Sequence, residues 1–450
     1  MPNLLHAADL HLDSPQTGLE AYEGAPVDEI RGATRRALEH LVELALDEAV
    51  DALLLAGDIY DGDWRDYNTG LFFAGQMTRL KEARIPVFMV QGNHDAASQI
   101  SRQLRLPDNV HLFPSRRPGS IRLESAGLAL HGQSYPSRQV EQNLARGYPP
   151  AEPGAFNIGL LHTSLDGRPG HASYAPCRLD DLRRLGYDYW ALGHVHQREV
   201  VSQDPWVVFP GNLQGRHARE TGVKGATLVR IDKGQVQAVE HHPLDAMRWA
   251  LCEIAVDDGI KREQLEERIA SALRTELDAA DGRLLAIRLR LHGSTREDAE
   301  LRARAEELLN QCRLLALDSG GRGIWIEKLV IATERPRVIA SATHVNTPDE
   351  ASPSPPSPIS PSSPLGEALA DPESLLNASL DDPTSLTTAL LEEVADLERK
   401  LPASLTSESD PLDLSPASLT RQDGDLHQCL RDAHALLLER LGDPPTANPR

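Results

Sequence analysis

A chain of 450 residues, 40% of them hydrophobic, with a formal charge of −21, is long enough to bury two or three domain cores. That balance argues against broad, sequence-independent adhesion to nucleic acid, which comes from Lys and Arg neutralising phosphates. No apolar run reaches the roughly 20 residues of a membrane-spanning helix, and MPNLLHAADLHLD at the start has neither a basic region nor a small-residue cleavage site, so the expected address is the cytoplasm, away from membranes. Cys177, Cys252, Cys312 and Cys429 lie too far apart for a CxxC zinc site or a disulfide framework and read as reduced and structural.

In chain order, residues 1–245 alternate short apolar runs with helical stretches, the rhythm of an α/β domain. Their clearest helix, DEIRGATRRALEHLVELALDEA, sets Ile30, Leu38, Leu41, Val42, Ala45 and Leu46 on one packing stripe. Residues 246–340 read as a smaller α+β unit in β-α-β-α-β order. RWALCEIAV is its first strand, and REQLEERIASALRTEL is a helix with Leu265, Ile269, Ala272, Leu273 and Leu277 on one face. LLAIRLRL then alternates Leu285, Ile287, Leu289 and Leu291 against Arg288 and Arg290, predicting one apolar and one basic sheet face. A helix near 297–310 and the strand GIWIEKLVIA complete the unit.

Residues 341–380 are too rich in Pro and Ser to bury a core and form a disordered linker. Residues 381–450 carry two short amphipathic segments, one with Leu386, Leu390, Val394 and Leu397, the other with Leu426, Leu430, Ala433, Leu437 and Leu441. Helices this short are marginal alone, so they either dock on another protein or fold back on their own domain. Most of the net negative charge sits here: residues 341–450 hold 19 acidic and 6 basic residues, a net of −13 out of −21. A phosphate-bearing substrate must therefore be held by a local basic patch, by metal ions or by a partner.

Five apolar runs of the first domain lead directly into metal-type side chains. NLLHAA precedes Asp9 and His11, DALLLAG precedes Asp58, IPVFMVQG precedes Asn93, His94 and Asp95, FNIGLL precedes His162, and YDYWALG precedes His194 and His196. In open α/β sheets ligands bind at the carboxyl ends of strands, so these residues converge on one crevice. Asp9, His11, Asp58, Asn93, His162, His194 and His196 are too many for one tetrahedral ion and suit two ions sharing a carboxylate. Imidazole and oxygen donors without thiolate favour Mn²⁺, Fe²⁺ or Zn²⁺, and two Mn²⁺ are expected. Extended backbone around Asp9/His11 and His194/His196 would turn both members of each pair to the same side.

Within VQGNHD, Gly92 is expected to give the strand a sharp exit, Asn93 a neutral oxygen ligand, and Asp95 to orient His94 or a ligand from behind, with a turn-capping role as its alternative. Asp61 is expected behind a ligand rather than on a metal, and His6, inside a strand, is structural. Arg216, His217, Arg219 and Lys224, in the loop after WVVF, either contact substrate phosphates or form a solvated basic loop.

The ordered set DxH, GDxxD, GNHD, H, GHxH resembles the calcineurin-like metallophosphoesterase superfamily over roughly the first 240 residues. HAADLHLDSP, GDIYD, GNHD and PGNLQGRHARETGVKG are similar to bacterial DNA repair exonucleases of the YhaO type, relatives of the SbcD nuclease. GDIYDGDW lacks the Arg-Gly of the superfamily's protein phosphatases, which speaks against a phosphoprotein substrate. The resemblance implies a four-layer α/β/β/α sandwich of two mixed sheets, with residues 246–340 capping it beside the DNA path. It implies Asp9, His11, Asp58 and His196 around one ion, Asp58, Asn93, His162 and His194 around the other, and His94 facing the scissile phosphate as a catalytic acid. The implied activity is metal-dependent exonucleolytic hydrolysis at DNA ends in repair, with DNA and an SMC-like coiled-coil ATPase of the SbcC or YhaN type as partners and a homodimer left open. The acidic balance favours the alternative, a phosphodiesterase or phosphatase for a small nucleotide. Related archaeal and eukaryotic nucleases often place His where Asp61 stands, a departure at a position linked to handling the DNA end.

Overall fold

The computed structural model describes residues 2–14, 26–61, 67–97, 104–167, 174–320 and 323–336. The chain divides into units Met1–Ile339 and Ala340–Arg450, and all described residues fall in the first. The Pro/Ser-rich linker, the two amphipathic segments and Cys429 lie outside them.

Strands that are apolar on both faces must be covered on both faces, and burial along this chain follows that rule. One six-stranded sheet runs in the order β12 (Gln235–Pro243), β11 (Gly225–Asp232), β1 (Asn3–Ala7), β2 (Ala52–Ala56), β3 (Val87–Val90), β4 (Val110–Leu112). Its strands from β1 to β4 are parallel and β11 and β12 antiparallel. The second runs β5 (Gly119–Leu123), β6 (Leu128–Gly132), β7 (Phe156–His162), β8 (Tyr189–Gly193), β10 (Trp206–Phe209), β9 (Glu199–Gln203). Here β6, β7, β8 and β10 are parallel, with antiparallel edges.

Alternate residues divide between three cores. Leu5, Leu53, Leu55, Val87 and Met89 pack on Leu38, Leu41, Phe73 and Met77, contributed by helices α2 (Ala33–Asp47) and α3 (Asn68–Glu82), and the short α4 (Asn93–Ala97) follows β3. Leu4, Leu54 and Phe88 meet Leu130, Ile158, Leu160 and Tyr189 between the sheets. Leu161, Trp190, Leu192 and Phe209 face Tyr148 and Leu182 on the far side, Leu182 coming from α5 (Leu179–Arg183). The result is the four-layer sandwich. The first helical stripe is in fact two helices, α1 (Val27–Arg31) and α2, meeting at Gly32, the residue that most weakens a helix short of proline.

A third sheet of three parallel strands, β13 (Met247–Ala255), β14 (Leu284–Ser294) and β15 (Ile324–Glu334), is crossed by α6 (Arg262–Ala279) and by a second helix that breaks at Arg304 into α7 (Asp298–Ala303) and α8 (Ala305–Gly320). Leu285, Ile287, Leu289 and Leu291 are fully buried against Leu265, Ile269 and Leu273 of α6. The opposite face is not left basic: Arg288 pairs with Glu327 at 2.7 Å and Arg290 with Glu253 at 2.8 Å. Trp249 and Trp325 of this sheet pack with Ile30 and Ala33 of the sandwich. Cys177, Cys252 and Cys312 are free and buried. Among the described residues no helix is long and apolar enough to cross a membrane.

Candidate metal centre

Five parallel strands, β1, β2, β3, β7 and β8, end on one crevice between the two sheets. The segments that follow are held together by backbone bonds, Asp9 N–H to Gly57 O at 3.0 Å and His11 N–H to Asp58 O at 3.1 Å among them. The expectation that alternation in extended backbone aims the donor pairs is corrected here. Asp9 (φ 52°), His11 (φ 43°), Asp58 (φ 50°) and His194 (φ 102°) all sit in left-handed backbone, each at a cost of about 1–3 kcal/mol that the surrounding structure must offset.

The motif glycines supply room. A Cβ at Gly92 would lie 2.3 Å from Asp58 Oδ1 and 2.8 Å from His162 Cε1, and one at Gly193 would lie 2.0 Å from Ala56 O. Gly92 has no positive φ, so its role is close approach rather than the sharp exit expected from the sequence.

The donors gather as three overlapping groups whose ligand atoms lie within 4.8 Å of one another: Asp9, His11, His196; His11, Asp58, His94; and Asp9, Asp58, His162. His11 Nε2 stands 3.2 Å from His196 Nε2, and His162 Nε2 stands 3.1 Å from Asn93 Oδ1. Two ligands of one ion with bonds of about 2.1 Å sit roughly 3.0–3.4 Å apart, so these separations fit a shared cation. Asp58 Oδ2 lies 3.9 Å from His11 Nε2 and 3.4 Å from His162 Nε2, between the two sides. His194 joins through its N–H to Asp9 at 2.9 Å and its ring, 5.2 Å from that of His162.

The hydrogen bonds behind the rings fix their tautomers, because carbonyl and carboxylate oxygens only accept. His162 Nδ1–H donates to Ala56 O at 2.9 Å and His196 Nδ1–H to Glu220 Oε1 at 2.6 Å. Each Nε2 is thereby the nitrogen turned toward a cation. Burial, with the nearby Arg216 guanidinium, pushes His11 down to about 3, keeping that imidazole neutral. Burial pushes Asp58 up, but the neighbouring imidazoles outweigh it and hold the carboxyl below its usual range. Burial acts to lower His162, but Asp58 and Asp9 outweigh it and raise it to about 9, so a divalent cation on that side would displace a proton. Buried carboxylates and imidazoles form a donor set that fits two divalent transition ions.

Around this cluster the structure separates the remaining expectations. His94, half-buried, has its Nδ1 2.7 Å from Asp61 Oδ1. Burial acts to lower its pKa, but Asp61 and Asp58 overcome this and raise it. Asp61 also lies 3.4 Å from His11 Nδ1 and 3.5 Å from the Arg216 guanidinium, and accepts Ser14 Oγ–H at 2.6 Å. Asp95 accepts the N–H groups of Ile59, Tyr60 and Gly92 at 3.0, 3.0 and 3.1 Å. It is a buried staple between the Asp58 and Asn93 segments, a positioning role rather than a catalytic one.

Arg216 borders the crevice, while His217 and Arg219 are exposed beside it. Lys224 is a correction: its ammonium is buried and donates to His196 O at 2.9 Å, so it braces the loop rather than meeting substrate. His6 is fully buried, donating from Nε2 to Leu192 O at 3.2 Å with Nδ1 3.0 Å from Tyr189 Oη, and ties the sheets together. Glu220 escaped sequence reasoning, although it is the single acid in the basic run GRHARETG, where an isolated carboxylate has reason to be paired.

Residues 2–198 match the calcineurin-like phosphoesterase family and residues 249–334 the middle domain of the metallophosphoesterase YhaO. The chain is 36% identical over 300 residues to a Bacillus subtilis (strain 168) protein named uncharacterized metallophosphoesterase YhaO, covering 65% of this chain and 72% of that one. More distant are archaeal proteins named DNA double-strand break repair protein Mre11. That of Sulfurisphaera tokodaii is 23% identical over 258 residues, 54% of this chain and 63% of its own. That of Haloferax volcanii is 26% identical over 310 residues, 68% of this chain and 65% of its own. The chain thus spans just under two thirds of these archaeal relatives. With its strand ends, donor set and sequence in agreement, the chain belongs to the calcineurin-like phosphoesterase family.

Proposed function

We propose that this centre is a Mn²⁺-dependent exonuclease hydrolysing phosphodiester bonds at DNA ends in repair. The observation that carries the reading is a pair of cationic groups at the mouth of the donor cluster: half-buried His94, 2.7 Å from Asp61, and Arg216, 3.5 Å from the same carboxylate. When bound, two such ions activate a water molecule and neutralise charge on phosphate oxygens. Asp61 holds His94 by Nδ1, leaving Nε2 to give a proton to the leaving 3′-oxygen. The Arg216 guanidinium takes a non-bridging phosphate oxygen. Asp95 keeps the Asp58 and Asn93 segments in register, and the strands flanking the crevice exclude bulk water from its buried side. Phosphodiester rather than phosphoprotein chemistry fits the GDIYDGDW segment, and DNA fits the names of the archaeal relatives.

An acidic chain of this kind relies on a partner for extended grip on DNA, for which we infer an SMC-like coiled-coil ATPase recruited by the tail. Removing residues 366–450 should abolish co-purification with it. The substrate reading is tested with linear duplex and single-stranded DNA against cyclic nucleotides, with the metal varied. Nucleotide release from DNA ends that is strongest with Mn²⁺ is expected. Hydrolysis confined to cyclic nucleotides would replace this reading by the small-nucleotide phosphodiesterase that the charge of −21 favours.

A further inference from the structure

Glu220 belongs to none of the strand-end motifs, yet it is buried and every feature of its environment fixes it. Its Oε1 accepts His196 Nδ1–H at 2.6 Å and stands 3.3 Å from Arg216 Nη2. Its Oε2 accepts Asn212 Nδ2–H at 2.9 Å and Arg216 N–H at 2.8 Å. A buried carboxylate is tolerated only when paired and hydrogen-bonded; here Arg216 supplies the opposite charge and one of the hydrogen-bond partners is a donor of the metal centre.

The loop carrying Glu220 is in turn clamped by the third sheet. Gln214 Oε1 accepts the N–H groups of Ala246 and Met247 at 2.8 and 3.2 Å, and its Nε2 donates to Met247 O at 2.8 Å. Trp249 Nε1 donates to Gly215 O at 3.1 Å, and Gly222 N–H donates to Trp249 O at 3.1 Å. The loop has no slack at this point, since a Cβ on Gly215 would lie 2.7 Å from Glu220 O and 3.1 Å from Trp249 Cδ1.

We propose that Glu220 is a positioning residue through which strand β13 sets the affinity of the His196 side of the centre for its cation. Fixing the Nδ1–H tautomer raises the basicity of Nε2, and the 212–222 loop holds the ring in place only while β13 holds the loop. The neighbouring His162 has no such link, because its Nδ1 is held by Ala56 O inside β2.

The test is a Mn²⁺ titration of the full chain by calorimetry, with thermal unfolding recorded in parallel. It needs no substrate and so stands apart from the nuclease reading. Glu220→Gln should weaken one of the two binding events by about 10- to 100-fold and leave the other unchanged, and Glu220→Asp should recover part of the loss. Trp249→Phe, which keeps the ring and removes the bond to Gly215 O, should weaken the same event less. Unchanged affinities, or equal weakening of both events, would overturn the proposal. Should Glu220→Gln fail to fold, Trp249→Phe decides alone, and unaltered binding there overturns it.

Discussion

His162 and His196 face the same cluster from opposite sides and lean on different kinds of support. His162 is fully buried at the end of β7, with Nδ1 held by the backbone carbonyl of Ala56 at 2.9 Å. His196 is 17% exposed and held by a side chain, Glu220, at 2.6 Å. One half of the centre is therefore written into the main chain of central strands, where only a steric change can break it. The other half depends on a replaceable carboxylate in a loop.

The largest effect is expected from attacking the main-chain half. Gly92→Ala would drive a methyl into Asp58 Oδ1 and His162 Cε1, 2.3 and 2.8 Å from the Cβ position. Because both His162 and the shared Asp58 are displaced, metal analysis should show the ion on the His162 side lost and the other weakened, and turnover should fall by ~100-fold or more, as displacements of about 1 Å do at reacting centres. A Gly92→Ala protein with full metal content and turnover would end the distinction.

His94→Ala comes next. Although it stands near His11 and Asp58, its Nδ1 is taken by Asp61, so both ions should stay bound while hydrolysis falls by about 10²- to 10⁴-fold, the usual worth of a general acid. Unchanged turnover would remove His94 from the reaction.

The smallest effect probes the seam behind the main-chain half, where His6 bonds Leu192 O one residue before Gly193. Burial pushes His6 down from 6.5 to about 3, against the Leu192 carbonyl, which raises it. The unfolded chain takes up that proton near 6.5, so His6 costs nothing above that pH and lowers stability as the pH falls toward 3. Between pH 6.5 and 4.5 the loss attributable to His6 is about 2–3 kcal/mol. Denaturant unfolding of the metal-free chain at pH 7 and 4.5 should show that much less acid sensitivity in His6→Leu. Equal sensitivity in the two proteins would contradict the buried, neutral imidazole.

Much of this was legible in the sequence because the signals are local. A strand buried on both faces, such as β2, reads as a continuous apolar run, and the ligand that follows it is the next polar residue. The third sheet's alternation of Leu285, Ile287, Leu289 and Leu291 was equally plain. What escaped depends on contacts across the fold. No periodicity in the chain reports that Asp9, His11 and Asp58 take left-handed backbone, that Glu327 and Glu253 neutralise Arg288 and Arg290, or that Lys224 turns inward to His196 O. The break at Gly32 is masked in the sequence because the apolar stripe runs through it.

The dinuclear centre is tested most directly by counting ions. Chain stripped with a chelator and titrated with Mn²⁺ should bind two ions, and Asp58→Asn, which removes the carboxylate lying between His11 and His162, should weaken both. A single ion in the native chain, or two ions indifferent to Asp58→Asn, would contradict the shared-carboxylate centre.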